Sequence, residues 1–254
     1  MKITFLGTGT SQGVPVIGCR CEVCLSTDER DKRLRTSAMI ECDDMRIVID
    51  AGPDFRYQML RAGVQDLSAI LLTHQHTDHI IGLDDVRAFN YFCQKSVDIY
   101  ATEVVQGALR RVFDYAFAEK PYPGAPMMTL HTIGNASFEV EGVRIVPICG
   151  KHFILPVTGY RIGEVAYLTD FNHIEESELE KLQGLDVLVI NALRHTRHLS
   201  HFALPDAIEI ARKVGAKSTY FTHISHQMGL HATEEKLLPE GMHFAYDMLT
   251  IEIP

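Results

Sequence analysis

The chain has 254 residues, of which 46% are hydrophobic and 22% charged, an ordinary globular composition with enough apolar content for a sizeable core. Its formal net charge of −9 argues against a broad electrostatic grip on nucleic acid, yet bound metal dications would still let a local site attract a small anionic substrate. No low-complexity tract, linker or repeat interrupts the sequence, so a single α/β domain over residues 1–254 is expected.

Taken in chain order, Met1 to Gly7 reads as a strand and lacks the apolar stretch and cleavage site of a signal peptide. No apolar run approaches membrane-spanning length, so a soluble, cytoplasmic protein with no membrane partner is expected. Further strand-like segments lie near 36–42, 46–50, 67–73, 96–100, 143–149, 157–162, 164–169, 186–192, 217–223 and 247–253. Helical patterns lie near 54–62, 82–92, 102–118, 175–183 and 204–214. In the last of these, Leu204, Ala207, Ile208, Ala211 and Val214 form one apolar face, with Pro205 in the first turn and Gly215 at the stop. The helix near 102–118 presents Val105, Ala108, Leu109, Val112 and Ala116, with Thr102 as its N-cap. This order suits two sheets packed face to face with helices outside. Gly7-Thr8-Gly9 follows a strand, but no helix begins there. The loop therefore reads as a close backbone approach and not as a nucleotide-binding turn.

Polar residues gather where strands end. The densest group is Thr73-His74-Gln75-His76-Thr77-Asp78-His79, directly after the apolar run Ala69 to Leu72. Imidazole and carboxylate together suit divalent zinc, manganese or iron. One tetrahedral ion needs fewer ligands than this, so the density points to two metals side by side. His152, Asp170 and His223 each lie at or beyond the end of a strand-like segment. Alone, each has an ordinary structural reading. Arg194 to His201 contains three more histidines, His195, His198 and His201. Among the six cysteines, Cys19, Cys21 and Cys24 cluster, which in a cytosolic chain favours metal over disulfide. Cys42, Cys93 and Cys149 are scattered and are expected to pack as small apolar residues.

Together, His74, His76, Asp78, His79, His152, Asp170 and His223 resemble the ligand series of the metallo-β-lactamase superfamily. That resemblance implies a four-layer αββα sandwich, two mixed β-sheets flanked by helices. It also implies that His74, His76 and His152 hold one metal, that Asp78, His79 and His223 hold the other, and that Asp170 bridges them. A narrower likeness, to the phosphoribosyl cyclic phosphate phosphodiesterase branch, is carried by Gly7 to Pro15, Cys19-Arg20-Cys21-Glu22-Val23-Cys24, Asp50 to Asp54 and Thr222-His223-Ile224-Ser225-His226-Gln227. This branch implies a structural zinc on Cys19, Cys21, Cys24 and His226, two active-site manganese or zinc ions, and a homodimer. Three thiolates and one imidazole do form a closed tetrahedral zinc set.

The resemblance further implies a dinuclear metal-dependent hydrolase that cleaves a small, cyclic, ribosyl or nucleotide phosphodiester by attack of a metal-bridged hydroxide. A catalytic histidine precedes the late helix in the family, and His201 is the best match here, with His198 the runner-up. His201 is thus the expected general acid, and Asp78 is expected to orient the attacking water as well as bind metal. An RNA 3′-processing endonuclease or a thiolester or lactone hydrolase would use the same scaffold. A non-catalytic metal-binding scaffold would be expected to have lost ligands, and all seven are present. One departure from the branch is Tyr246-Asp247-Met248, where aspartate-glycine is the expected pattern.

Overall fold

The structure, a computed structural model, describes residues 1–253. Its strands are β1 (Lys2–Gly7), β2 (Ser37–Cys42), β3 (Met45–Ile49), β4 (Ala69–Leu71), β5 (Val97–Ala101), β6 (Met128–Thr132), β7 (Phe138–Val140), β8 (Val143–His152), β9 (Leu155–Ile162), β10 (Val165–Leu168), β11 (His173–Ile174), β12 (Val187–Asn191), β13 (Ser218–Thr222), β14 (Met242–Phe244) and β15 (Thr250–Glu252). Its α-helices are α1 (Glu22–Leu25), α2 (Phe55–Ala62), α3 (Thr77–Ile80), α4 (Arg87–Cys93), α5 (Glu103–Val112), α6 (Glu176–Leu179), α7 (Leu204–Val214) and α8 (His231–Glu234).

One sheet runs β15-β1-β2-β3-β4-β5-β6, the other β11-β8-β9-β10-β12-β13-β14, with β7 paired to β8. Both are mixed. Strands β3 to β6 are parallel, as are β10, β12, β13 and β14. The central strands are apolar on both faces because each face is covered. In β12, Val187 and Val189 fill the space between the sheets, while Leu188 and Ile190 face outward into the cluster that includes Ala207 and Ala211 of α7. In β4, Ala69 and Leu71 point between the sheets and Ile70 outward toward Phe55 and Leu109 of α2 and α5. Three apolar clusters thus separate four layers, helix, sheet, sheet, helix, as expected. Each fully buried Leu, Ile, Val or Phe contributes about 1.5–3 kcal/mol.

Several expected boundaries shift. Strand β8 runs on to His152, and its partner β9 begins at Leu155, so that histidine sits at the tip of a hairpin. Helix α5 stops at Val112, where Phe113 leaves helical geometry at φ −112° and ψ 42°, and beyond it the Tyr115 hydroxyl bonds to the Asp84 carboxylate. Thr102 occupies the N-cap position but makes no side-chain capping bond. In α7 the Ala203 N–H donates to Asp206 at 3.1 Å, and Gly215 closes the helix at φ 67°. The last strand covers only Thr250–Glu252. Before it, the Asp247 carboxylate accepts from the N–H groups of Thr8 at 2.9 Å and Leu34 at 2.8 Å. Met248 then takes φ 69°, the left-handed region that the expected glycine would occupy without strain.

Candidate active site

The parallel strands end on one rim, and the site is built there. Asp50 follows β3, Thr73 and His74 follow β4, Asp170 follows β10, and His223 follows β13. Asp50, Asp170 and His223 adopt φ of 64°, 63° and 57°. Left-handed backbone in a non-glycine residue is strained and concentrates at functional sites. The rim is tied across the sheets: Tyr160 Oη donates to the Leu72 carbonyl at 2.6 Å, and Thr158 N–H to the Thr73 carbonyl at 3.0 Å.

Asp50 organises the loop that follows β4. It accepts from Thr73 N–H and from Thr73 Oγ1, both at 2.9 Å, and from His79 Nδ1 at 2.6 Å. Because Thr73 Oγ1 gives its only proton to Asp50, it accepts from His74 Nδ1 at 3.0 Å. His152 Nδ1 donates to the Ser200 carbonyl at 2.7 Å. These partners engage Nδ1 and fix the ring orientations, so His74, His79 and His152 each turn Nε2 toward the site for ligation. The sequence reading assigned no role to Asp50, although a carboxylate ending a buried strand is the same signal that marked Asp170.

The expected ligands converge. His74, His76 and His152 form one group, and Asp78, His79 and His223 another. Within each group the ligand atoms lie within 4.8 Å of one another. Asp170 stands between them, with Oδ2 3.4 Å from His79 Nε2 and Oδ1 3.1 Å from His223 Nε2. His201 joins the cluster: its Nδ1 is 3.5 Å from Asp170 Oδ1, and its ring stacks on His223 at 4.7 Å between centroids. His79 Nε2, His201 Nδ1 and both ring nitrogens of His223 are buried without a hydrogen-bond partner among the described residues. Orphaned imidazole nitrogens beside carboxylates are what divalent ions would satisfy, so this donor set fits the metals that the fold family implies.

Charge and burial oppose each other throughout the cluster. Burial alone would lower His79, but the Asp170 and Asp50 carboxylates on either side raise it well above the usual histidine range. Burial alone would raise Asp170, and His223 and His79 hold it well below the usual carboxylate range. Asp78 is likewise held low against its burial by the neighbouring His79, whose Nε2 lies 3.3 Å from Oδ2. Burial, then the neighbouring His223, pushes His201 down to about 2.

The second expected metal group also assembles. Cys19, Cys21 and Cys24 place Sγ atoms 3.3, 3.4 and 3.7 Å from His226 Nδ1. The loop is joined to the strand end that carries His223 through Ile224, whose N–H donates to the Thr8 carbonyl at 2.8 Å and whose carbonyl accepts from Thr10 N–H at 3.2 Å. The Gly7 to Gly13 loop is thus a close backbone approach: a Cβ on Gly7 would lie 2.0 Å from the Arg35 carbonyl oxygen. The other three cysteines are half-buried: Cys42 packs against the core between the sheets, as expected, while Cys93 and Cys149 lie outside the core clusters. His195 bonds to the Met228 carbonyl and Glu234, both at 2.9 Å, outside the cluster. Arg194 bonds to Gln227 and to the carbonyls of Thr196 and Arg197. His198 lies beside His201 at 5.2 Å between ring centroids.

The family model for the beta-lactamase superfamily domain matches residues 45–224. The chain belongs to the beta-lactamase superfamily. The superfamily comprises metal-dependent hydrolases, and this member is an enzyme of that kind with a fold that implies divalent metal ions. A diphosphatase from the PhnP family superposes with a TM-score of 0.92 at 42% identity, covering 100% of this chain and 98% of the other. Zinc-bound PqqB from Methylobacterium extorquens superposes at 0.81 with 20% identity and full coverage of both chains, a likeness of fold alone. A Porphyromonas gingivalis protein named octanoyltransferase is 41% identical over 252 residues, 98% of this chain. That match covers 51% of the relative, so this superfamily member spans about half of its length. No helix among the described residues is long and apolar enough to cross a membrane.

Proposed function

We propose that the protein is a dinuclear metal phosphodiesterase acting on a small, cyclic ribosyl or nucleotide phosphodiester. The observation that carries hydrolysis at phosphorus is the end-to-end likeness to a PhnP-family diphosphatase at 42% identity. In this reading His74, His76 and His152 hold one ion, Asp78, His79 and His223 the other, and Asp170 lies between them, while Cys19, Cys21, Cys24 and His226 hold a structural zinc. Manganese or zinc suits the first two positions. When bound, the active-site ions supply Lewis acidity and lower the pKa of water toward neutrality.

The chain's own groups do the rest. The free carboxylate edge of Asp78 accepts a hydrogen bond from the attacking water and orients it. The phosphodiester anion, once bound beside His201, favours the charged imidazolium and raises its pKa. His201 then gives its proton to the oxygen that leaves as the P–O bond breaks. A ribosyl or alkyl oxygen needs that proton, which is worth roughly a hundred- to ten-thousand-fold in rate. His201→Ala is therefore expected to lose that factor on an alkyl or ribosyl phosphodiester and to keep most turnover on a nitrophenyl ester, whose leaving group needs no proton. Equal loss on both esters would remove His201 from the general-acid role.

A second reading, cleavage of a phosphoanhydride, is favoured by the word diphosphatase attached to the similar structure. It uses the same cluster and is separated by a substrate panel. The name octanoyltransferase belongs to a relative about twice as long as the matched part, and it places thiolesters in the same panel.

A further inference from the structure

The side chains expected to contact the metals and substrate come from separate loops, and one side chain outside the ligand set joins two of them. Asn172 lies two residues beyond Asp170. Its Oδ1 accepts from Phe153 N–H at 2.9 Å, and its Nδ2 donates to the Leu199 carbonyl at 2.9 Å. Its own N–H donates to the Lys151 carbonyl at 2.8 Å. Phe153 adjoins His152 at the hairpin tip and holds φ 58°. Leu199 lies two residues before His201. The His152 bond to the Ser200 carbonyl at 2.7 Å is a second rung between the same two loops. Across that junction the rings of His152 and His201 stand 4.6 Å apart.

We propose that Asn172 is a positioning residue that sets His201 against His152 and Asp170. The chemistry of the amide suits this task, since only a side chain that donates and accepts at once can hold a backbone N–H on one loop and a carbonyl on the other. At the His201 end the backbone is also held by the Phe202 N–H, which donates to the Phe171 carbonyl at 2.8 Å, but Asn172 is the side chain that reaches Leu199, while Arg194 and His195 bond toward Gln227, Met228 and Glu234. A proton donor displaced by about 1 Å costs on the order of a hundred-fold in rate. The inference rests on the reading that His201 protonates the leaving oxygen.

The test is a cycle on the metal-loaded full chain, with metal per chain measured for every variant. Asn172→Ala is expected to lower kcat on the alkyl or ribosyl phosphodiester roughly ten- to a hundred-fold, with KM little changed and the nitrophenyl ester spared. Asn172→Asp keeps the size and the bond from Phe153 but sets an oxygen against the Leu199 carbonyl, and is expected to match the alanine variant. In a His201→Ala background, Asn172→Ala should add little further loss on the alkyl ester, because both act through the same proton. Metal per chain should equal the parent's. If His201→Ala shows no leaving-group selectivity, the general-acid reading falls. If His201→Ala is selective while Asn172→Ala slows both esters alike, sheds metal or adds its full loss to that of His201→Ala, Asn172 is a structural residue and the inference is overturned.

Discussion

Asp50 is buried and holds a metal-facing histidine through a 2.6 Å hydrogen bond from His79 Nδ1. Partners of this kind set ring orientation and basicity, and their loss typically costs ten- to a hundred-fold in metal affinity. Asp50→Asn should weaken active-site metal binding by about that factor, read by competition with a chromogenic chelator, while the cysteine site keeps its zinc. Unchanged affinity would show that His79 is oriented without it. A second buried pair contributes to the pH dependence of stability on the acid side. His231 Nδ1 faces the Arg33 guanidinium at 3.3 Å and accepts from it, which requires a neutral ring. Burial, then Arg33, lowers His231 from 6.5 to about 4. The unfolded chain therefore takes up this proton first, so the contribution is full above about 6.5 and is lost as pH falls toward 4. His231→Gln should flatten the acid limb of the stability curve in that window, measured by urea unfolding across it, whereas an unaltered slope would exclude this group. At this scale the ligand series was legible because four ligands fall within six consecutive residues. Asp50 carried the strand-end signal but not its hold on His79, 29 residues on, and the Arg33–His231 pair was not legible because its members lie 198 residues apart.

Helix α7 was readable almost to the residue, since its apolar period, Pro205 and Gly215 all agree. The strands Met128–Thr132, Phe138–Val140 and Met242–Phe244 were not foreseen. They are short, at or near sheet edges and only partly buried, so they carry neither the continuous apolar run of a covered strand nor a long alternation. The loop containing Cys19 to Cys24 was legible as a metal candidate together with His226, and the structure brings its sulfurs to His226, three residues beyond His223. That element has little apolar support, a small cluster around Val14, Val23 and Cys24, so a bound ion would be much of what holds it. Cys24→Ala should lower zinc by one ion per chain and lower Tm by several degrees, leaving active-site metal in place. Zinc content equal to the parent's, measured by elemental analysis after dialysis, would show that the cysteines are ordinary thiols.

At the scale of the molecule, the strand and helix order suited two face-to-face sheets with helices outside, the family resemblance implied the four-layer sandwich, and the structure adds why the site lies where it does. Two parallel runs of strands, one in each sheet, end at a common rim, and their ends deliver Asp50, His74, Asp170 and His223 to one place. Burial on both faces of the central strands holds that rim rigid, which is what a site needing sub-ångström placement requires. The substrate was less legible than the chemistry, because it is set by loops such as Arg194 to His201 whose geometry depends on distant partners. Hydrolysis at phosphorus by a two-metal site is tested most directly by a turnover panel on the chain reconstituted with manganese or zinc, metal content measured alongside. Its members are a five-membered ribosyl cyclic phosphate, a 2′,3′-cyclic nucleotide, a diphosphate ester, a tRNA precursor and an octanoyl thiolester. The cyclic phosphodiesters should turn over fastest, with two active-site ions per chain and loss of activity on chelation. Strong thiolester or tRNA turnover with the cyclic phosphodiesters untouched would contradict it.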